Sequence, residues 1–341
     1  MKCLTGLCLI SLSVLAPTTM AQEDGSVRAT VMVDGLSRPA GIAVQPETGI
    51  VFVSDSGVGR ICRVVDGMLE EVIHGAPVET SEGEGIDVRG PLGLAFIDKE
   101  TLAVGDGSYG AGKDCVRLFK LPGDEKKILE YQSDAAAQLG PAPANRSHEA
   151  EGHFYSLAVA KHGLYVTSAS GQREGSVLKA ELMGTKFGEF ERVVHTASNQ
   201  GGGLPAGLTL SPRGEIVVAL IEVADGAQNS DLAFYSAKTN GLLLRLKTGL
   251  NHISAVAYSP KTGLLYATDY ANSDPGRGGL YRLDSDAAGG EQKIKATKLA
   301  KLDGATALAF DKSGTAYIAV FGVSAEASAK PTGAVVKVSG L

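Results

Sequence analysis

The amino-acid sequence predicts an all-β fold: a single six-bladed β-propeller of four-stranded antiparallel blades, closed by the N-terminal strand. Three observations carry that expectation. One unit recurs six times, each unit opens with two short apolar strands around a tight turn, and the last unit lacks a strand that the start of the chain can supply. Composition agrees: 44 glycines, no tryptophan, and apolar residues in short bursts separated by Gly, Pro, Asp and Ser are the marks of many short strands and little helix.

The six units begin Pro39-Ala-Gly-Ile-Ala-Val, Pro91-Leu-Gly-Leu-Ala-Phe, Phe154-Tyr-Ser-Leu-Ala-Val, Pro205-Ala-Gly-Leu-Thr-Leu, Ile253-Ser-Ala-Val-Ala-Tyr and Ala305-Thr-Ala-Leu-Ala-Phe. A small residue marks the same place in each, at Gly41, Gly93, Ser156, Gly207, Ala255 and Ala307, in steps of 52, 63, 51, 48 and 52 residues. Six inner strands converging near one axis leave no room for bulk there. Turns such as Gln45-Pro-Glu-Thr-Gly and Ser259-Pro-Lys-Thr-Gly lead into a second apolar run, for example Ile50 to Val53 or Leu264 to Ala267, so each pair reads as a β-hairpin. A third strand such as Arg60 to Val65 and an outer, more polar one such as Glu70 to Ile73 complete the blade. The sixth unit stops at Val335 to Val338, whereas Val27 to Val33 precedes the first unit with none of its own. Joining the two removes open sheet edges, which invite aggregation.

Residues 1–21 read as a secretory signal. Lys2 gives a positive start, Leu4 to Leu15 are almost wholly apolar, and Thr19-Met-Ala21 resembles a cleavage site, so residues 22–341 form the expected single domain. The location implied is secreted or periplasmic, with no membrane insertion after cleavage. The formal charge is −6, and there is no basic run, so nucleic acid is excluded as a partner. The chain is expected to be a monomer. Cys62 and Cys115 remain in a disulfide-permissive compartment, where they either pair between two stacked blades or stay apart, since packed sheets lie about 10 Å apart and bridged Cα atoms are closer than about 7 Å.

Loop lengths single out a working face. First-to-second turns are short, whereas the connections Ile221 to Asp231, Asp269 to Gly278 and Phe321 to Gly333 are long and share one side, together with the Ser133 to Gly152 insertion. Repeat alignment then selects residues by position. Three places before the small inner residue lie Arg38, Gly90, His153, Leu204, His252 and Gly304. Two places after the second strand lie Asp55, Asp106, Ala169, Ile221, Asp269 and Val320. The ligand-binding candidates are therefore Arg38, His153, His252, Asp55, Asp106 and Asp269, with Tyr155 and Asn251 beside the histidines. Imidazole and carboxylate groups converging on one mouth can hold a divalent metal, calcium or zinc, with His153, His252 and Asp269 as candidate ligands, or perform acid-base chemistry. Alternatively, the aspartates cap turns or pair with strand arginines such as Arg60, and the histidines satisfy buried hydrogen bonds.

Arg38-Pro-Ala-Gly-Ile-Ala-Val, Val53-Ser-Asp-Ser-Gly and Arg60-Ile resemble an NHL-type repeat. Through Gly152-His-Phe-Tyr-Ser-Leu-Ala-Val and Pro331-Thr-Gly-Ala-Val-Val-Lys-Val the chain is similar to the ScyD/ScyE scytonemin-biosynthesis propellers, and more distantly to gluconolactonase/regucalcin-like propellers. The last resemblance implies a divalent metal held over the channel by a first-blade glutamate and by asparagines and an aspartate from other blades. Gly35-Leu-Ser-Arg-Pro39 departs from it, with Arg38 where an acid is implied. Two functions follow as expectations. The first is a binding propeller that takes a small molecule, glycan or protein on its long-loop face. The second is a metal-dependent hydrolase, lactonase-like, or a lyase, with its site at the channel mouth.

Overall fold

The computed structural model describes residues 19–20, 27–78, 89–123, 127–144, 149–169, 175–184, 186–196, 202–224, 227–271, 274, 276–286, 292–321 and 333–341. Most of the signal-like segment, part of the Ser133 to Gly152 insertion and most of the Phe321 to Gly333 connection lie outside them.

Six antiparallel sheets follow one another along the chain. From the inside outward, blade 1 is Pro39–Val44, Val51–Asp55, Arg60–Val65 and Met68–His74. Blade 2 is Pro91–Phe96, Thr101–Asp106, Val116–Lys120 and Ala137–Leu139. Blade 3 is Leu157–Ala160, Gly163–Ala169, Gly175–Met183 and Lys186–His195, and blade 4 is Leu204–Leu210, Ile216–Ala224, Ala227–Tyr235 and Leu242–Leu250. Blade 5 is Ile253–Tyr258, Leu265–Asp269, Gly279–Asp286 and Lys293–Lys301. Blade 6 takes Ala305–Phe310, Ala316–Val320 and Gly333–Ser339 from the C-terminal end, and its outer strand is Arg28–Leu36 from the start of the chain. Val31 pairs with Val336 and Arg28 with Ser339, so the first strand zips the ring shut as expected.

Continuous apolar runs, whose successive side chains point to opposite sides of a strand, put apolar groups on both faces of the blades, and the core accordingly splits into inter-blade layers. One layer joins blades 5 and 6 through Leu280, Leu299, Ile318 and Val336, and the next joins blades 6 and 1 through Leu36, Val53, Cys62 and Val335. Four more complete the circle. Near the axis the blades are also stitched by hydrogen bonds. Hydroxyls of Ser54, Thr167, Ser254 and Thr306 donate to carbonyls of Leu92, Ala206, Ala305 and Pro39 on the next blade, at 2.7–3.1 Å. The remaining joints use Gly93 N–H to the Phe154 carbonyl and Ile253 N–H to Ser230 Oγ. The small residues have the expected cause, crowding: a Cβ on Gly41 would stand 2.1 Å from the Leu92 carbonyl oxygen.

Three expectations need correction, and one open alternative is decided. Ile221 to Asp231 is not an open connection but largely a continuation of two strands, paired from Ile221↔Ser230 to Ala224↔Ala227. The Ser133 to Gly152 insertion supplies blade 2 with its outer strand, Ala137–Leu139, while Leu129–Glu130 adds in parallel to the edge of blade 1. The inner strand of blade 3 starts at Leu157 rather than Phe154. Cys62 and Cys115 are free and buried: Cys62 packs in the layer toward blade 6, whereas Cys115 Sγ faces the Lys113 carbonyl in blade 2. Burial pushes the Cys62 thiol up to about 12, so it is inert as a nucleophile.

Candidate functional site: the long-loop mouth of the channel

The second strand of a blade ends where the chain re-enters from the previous blade, and a carboxylate sits at that junction. Asp55 accepts the Ser37 N–H at 2.6 Å, and Asp269 accepts the N–H groups of Asn251, His252 and Ala271 at 2.9–3.0 Å. Blade 3 has Ala169 there, and Asp114 of the blade 2 loop substitutes, accepting the His153 N–H at 2.9 Å. In blades 1 and 2 the carboxylate at the end of the second strand also meets a guanidinium group. Arg60 lies 2.8 Å from Asp55, and Arg117 lies 3.2 Å from Asp106, which also accepts the Cys115 N–H and the Tyr131 hydroxyl. Burial raises the carboxyls of Asp55 and Asp106, and these donors pull them part of the way back.

These clamps fix the residues that carry the candidate side chains. Arg38 and His153, at equivalent places in blades 1 and 3, have φ of 52° and 53°, where blade 6 uses Gly304 at 71°. A left-handed backbone costs a non-glycine residue about 1–2 kcal/mol, so Arg and His are kept there against a local preference for glycine. Arg38 is exposed, His153 and Asn251 are half-buried, and His252 is buried. Desolvation lowers the His252 imidazole to about 4, which makes it neutral near pH 7.

An aromatic cluster that repeat alignment does not single out completes the mouth. The His252 ring centroid is 5.8 Å from that of Tyr270, and Tyr270 meets Phe321 edge-on at 5.5 Å. Burial raises the Tyr270 phenol and the nearby Arg38 cation opposes it, so the structure groups Arg38, His252, Tyr270 and Phe321. The signal is present one place further along the repeat: Tyr270 follows Asp269, and Phe321 follows Val320. Tyr155 lies beneath, packed with Phe321 on Ala40 and Leu92. Its hydroxyl donates to the Thr306 carbonyl at 2.8 Å, and because blades 3 and 6 are opposite in a ring of six, the side chain crosses the axis and floors the mouth. Below it the channel narrows to a throat of about 60 Å³, lined by inner-strand residues such as Gly41, Gly93 and Ser254.

The donor set does not fit the divalent metal that the gluconolactonase resemblance implies. Asp55, Asp106 and Asp269 already accept backbone N–H groups, two of them are also paired with arginine, and Arg38 brings a cation to the rim. Among the described residues, no three or more His, Cys, Asp or Glu side chains are grouped to hold an ion.

No protein-family model matches the chain, and no curated protein matches it. Solved structures do. The chain is similar to the putative oxidoreductase (glucose dehydrogenase) from Thermus thermophilus at 17% identity, over 92% of this chain and 99% of that one, with a TM-score of 0.63. It is similar to the soluble aldose sugar dehydrogenase of Escherichia coli at 13% identity, over 92% and 100% of the two chains, with a TM-score of 0.59. For the gluconolactonase of Xanthomonas campestris the identity is 13%, the coverage 92% and 90%, and the TM-score 0.54. Likeness at these identities establishes the six-bladed propeller fold and nothing finer.

Proposed function

We propose that the protein is a binding propeller acting outside the cytoplasm, and that its long-loop mouth recognises a small polyhydroxylated or glycan-type molecule. The observation that carries this reading is the placement of Arg38 and His153 in left-handed backbone, where the equivalent position of blade 6 is glycine. The chemistry around them suits a sugar ring. Tyr270 and Phe321 offer faces against which C–H groups pack, neutral His252 both donates and accepts, and Arg38 presents a planar fork of donors at the rim. The three similar structures, two sugar dehydrogenases and a gluconolactonase by name, support a carbohydrate rather than a protein ligand. The signal-like N terminus supports the location.

Calorimetric titration with glucose, gluconate and short glucans tests the proposal. A saturable partner is expected, with affinity reduced at least about tenfold, or 1.4 kcal/mol, in Arg38→Ala and in Tyr270→Ala. The gluconolactonase likeness favours one other reading, a metal-dependent lactonase. Stoichiometric zinc or calcium in purified protein, lost in a His153→Ala, His252→Ala double variant together with hydrolysis of gluconolactone, would replace the binding role with that one.

A further inference from the structure

The channel has a second end, on the face of the short turns, and it is built differently. There it opens into a chamber of about 360 Å³ walled by every blade, through Ile42, Phe96, Val159, Leu210, Val256 and Leu308. That volume falls within the roughly 300–1,000 Å³ of small-molecule sites. Inward, the chamber leads to the 60 Å³ throat and then to Tyr155, bonded across the axis to Thr306, so it is blind and does not communicate with the long-loop mouth. No charged side chain is among the described residues of its wall, and Thr209 supplies the one polar side chain. The wall is not oily throughout. Each inner strand has a strand partner on its outer side only, so backbone N–H and C=O groups along the free edge turn toward the chamber.

We propose that this chamber is a second ligand site, independent of the long-loop mouth, and that it takes one small uncharged molecule with an apolar body and a hydrogen-bonding end. An ion entering it would lose hydration with no counter-charge to replace it. A purely apolar molecule would strip water from the free backbone groups and return nothing. An uncharged molecule with one polar end avoids both costs, and a blind chamber admits it from one side.

Benzyl alcohol, benzoate and benzylammonium share one ring and differ in charge, and saturation-transfer NMR on the full chain compares them. The expected result is saturable one-site binding of benzyl alcohol, at least about tenfold tighter than that of either ion. Val159 is 37% exposed at the chamber wall, so Val159→Trp fills space without disturbing a buried position, and it is expected to weaken the alcohol at least about tenfold. Ala309→Leu, on the opposite wall, repeats the test should the first variant fold poorly. Absence of saturable benzyl alcohol binding, equal binding of the three probes, or unchanged affinity in a folded wall-filling variant would overturn the proposal.

Discussion

His252 shows how one buried residue sets both chemistry and acid stability. Unfolded, its imidazole titrates near 6.5; folded, burial holds it at about 4. Between these values the unfolded chain binds more protons, so this group's contribution is fully present above pH 6.5 and is lost as pH falls toward 4, by about 3 kcal/mol. Asp55 and Asp106, whose carboxyls burial raises, act with the opposite sign, and they do so equally in a variant that keeps them. Urea unfolding at pH 7 and pH 4.5 should therefore show His252→Gln losing less stability on acidification than the parent, by roughly 2–3 kcal/mol. Equal losses in the two proteins would mean that the imidazole titrates alike in the folded and unfolded chains.

At the scale of the element, the inner strand is the most constrained part of a blade. It must pair with the second strand on one side and pass its neighbour's backbone on the other, and Gly41 is where the approach is closest. Gly41→Ala places a methyl group 2.1 Å from the Leu92 carbonyl oxygen, which belongs to a backbone held by the Ser54 hydroxyl and cannot swing away as a side chain would. A loss of about 1–3 kcal/mol is expected, read as a lower denaturant midpoint at unchanged m-value. The same scale explains part of what sequence reading misses. Residue counts predict long connections, yet Ile221 to Ala224 pair with Ala227 to Ser230, so the count there measures strand length rather than loop length.

At the scale of the whole molecule, closure by Arg28–Leu36 makes stability a property of the ring. That strand contributes Ala29 and Leu36, both fully or almost fully buried, to the layers on the two sides of blade 6, and Val27 beside it is buried as well. At about 1.5–3 kcal/mol for a large buried side chain, plus a ladder of backbone hydrogen bonds, its removal approaches the roughly 5–15 kcal/mol that holds a typical domain. Deletion of residues 22–36 is expected to abolish cooperative unfolding and to leave the Gly333–Ser339 edge open, so that size-exclusion chromatography finds larger species than the parent chain forms. A deleted chain that still eluted like the parent and melted sharply would show that the ring closes by another route.

The sequence by itself determined the number of blades, the order of their strands, the closing strand and the crowded inner positions. Each of these is written in a local pattern, whether alternation along a strand, a turn between two strands or a unit repeated about every fifty residues. It also placed Asp55 beside Arg60, a pair one hairpin turn apart. Only the tertiary structure decided which groups are already partnered and which spaces are open. Tyr155 reaches a carbonyl 151 residues away, Asp114 holds the next blade as well as its own loop, and Cys62 faces blade 6 rather than Cys115. Such contacts join side chains whose neighbours along the chain are elsewhere, and their choice rests on the stagger and twist of packed sheets, which no spacing in a single sequence encodes.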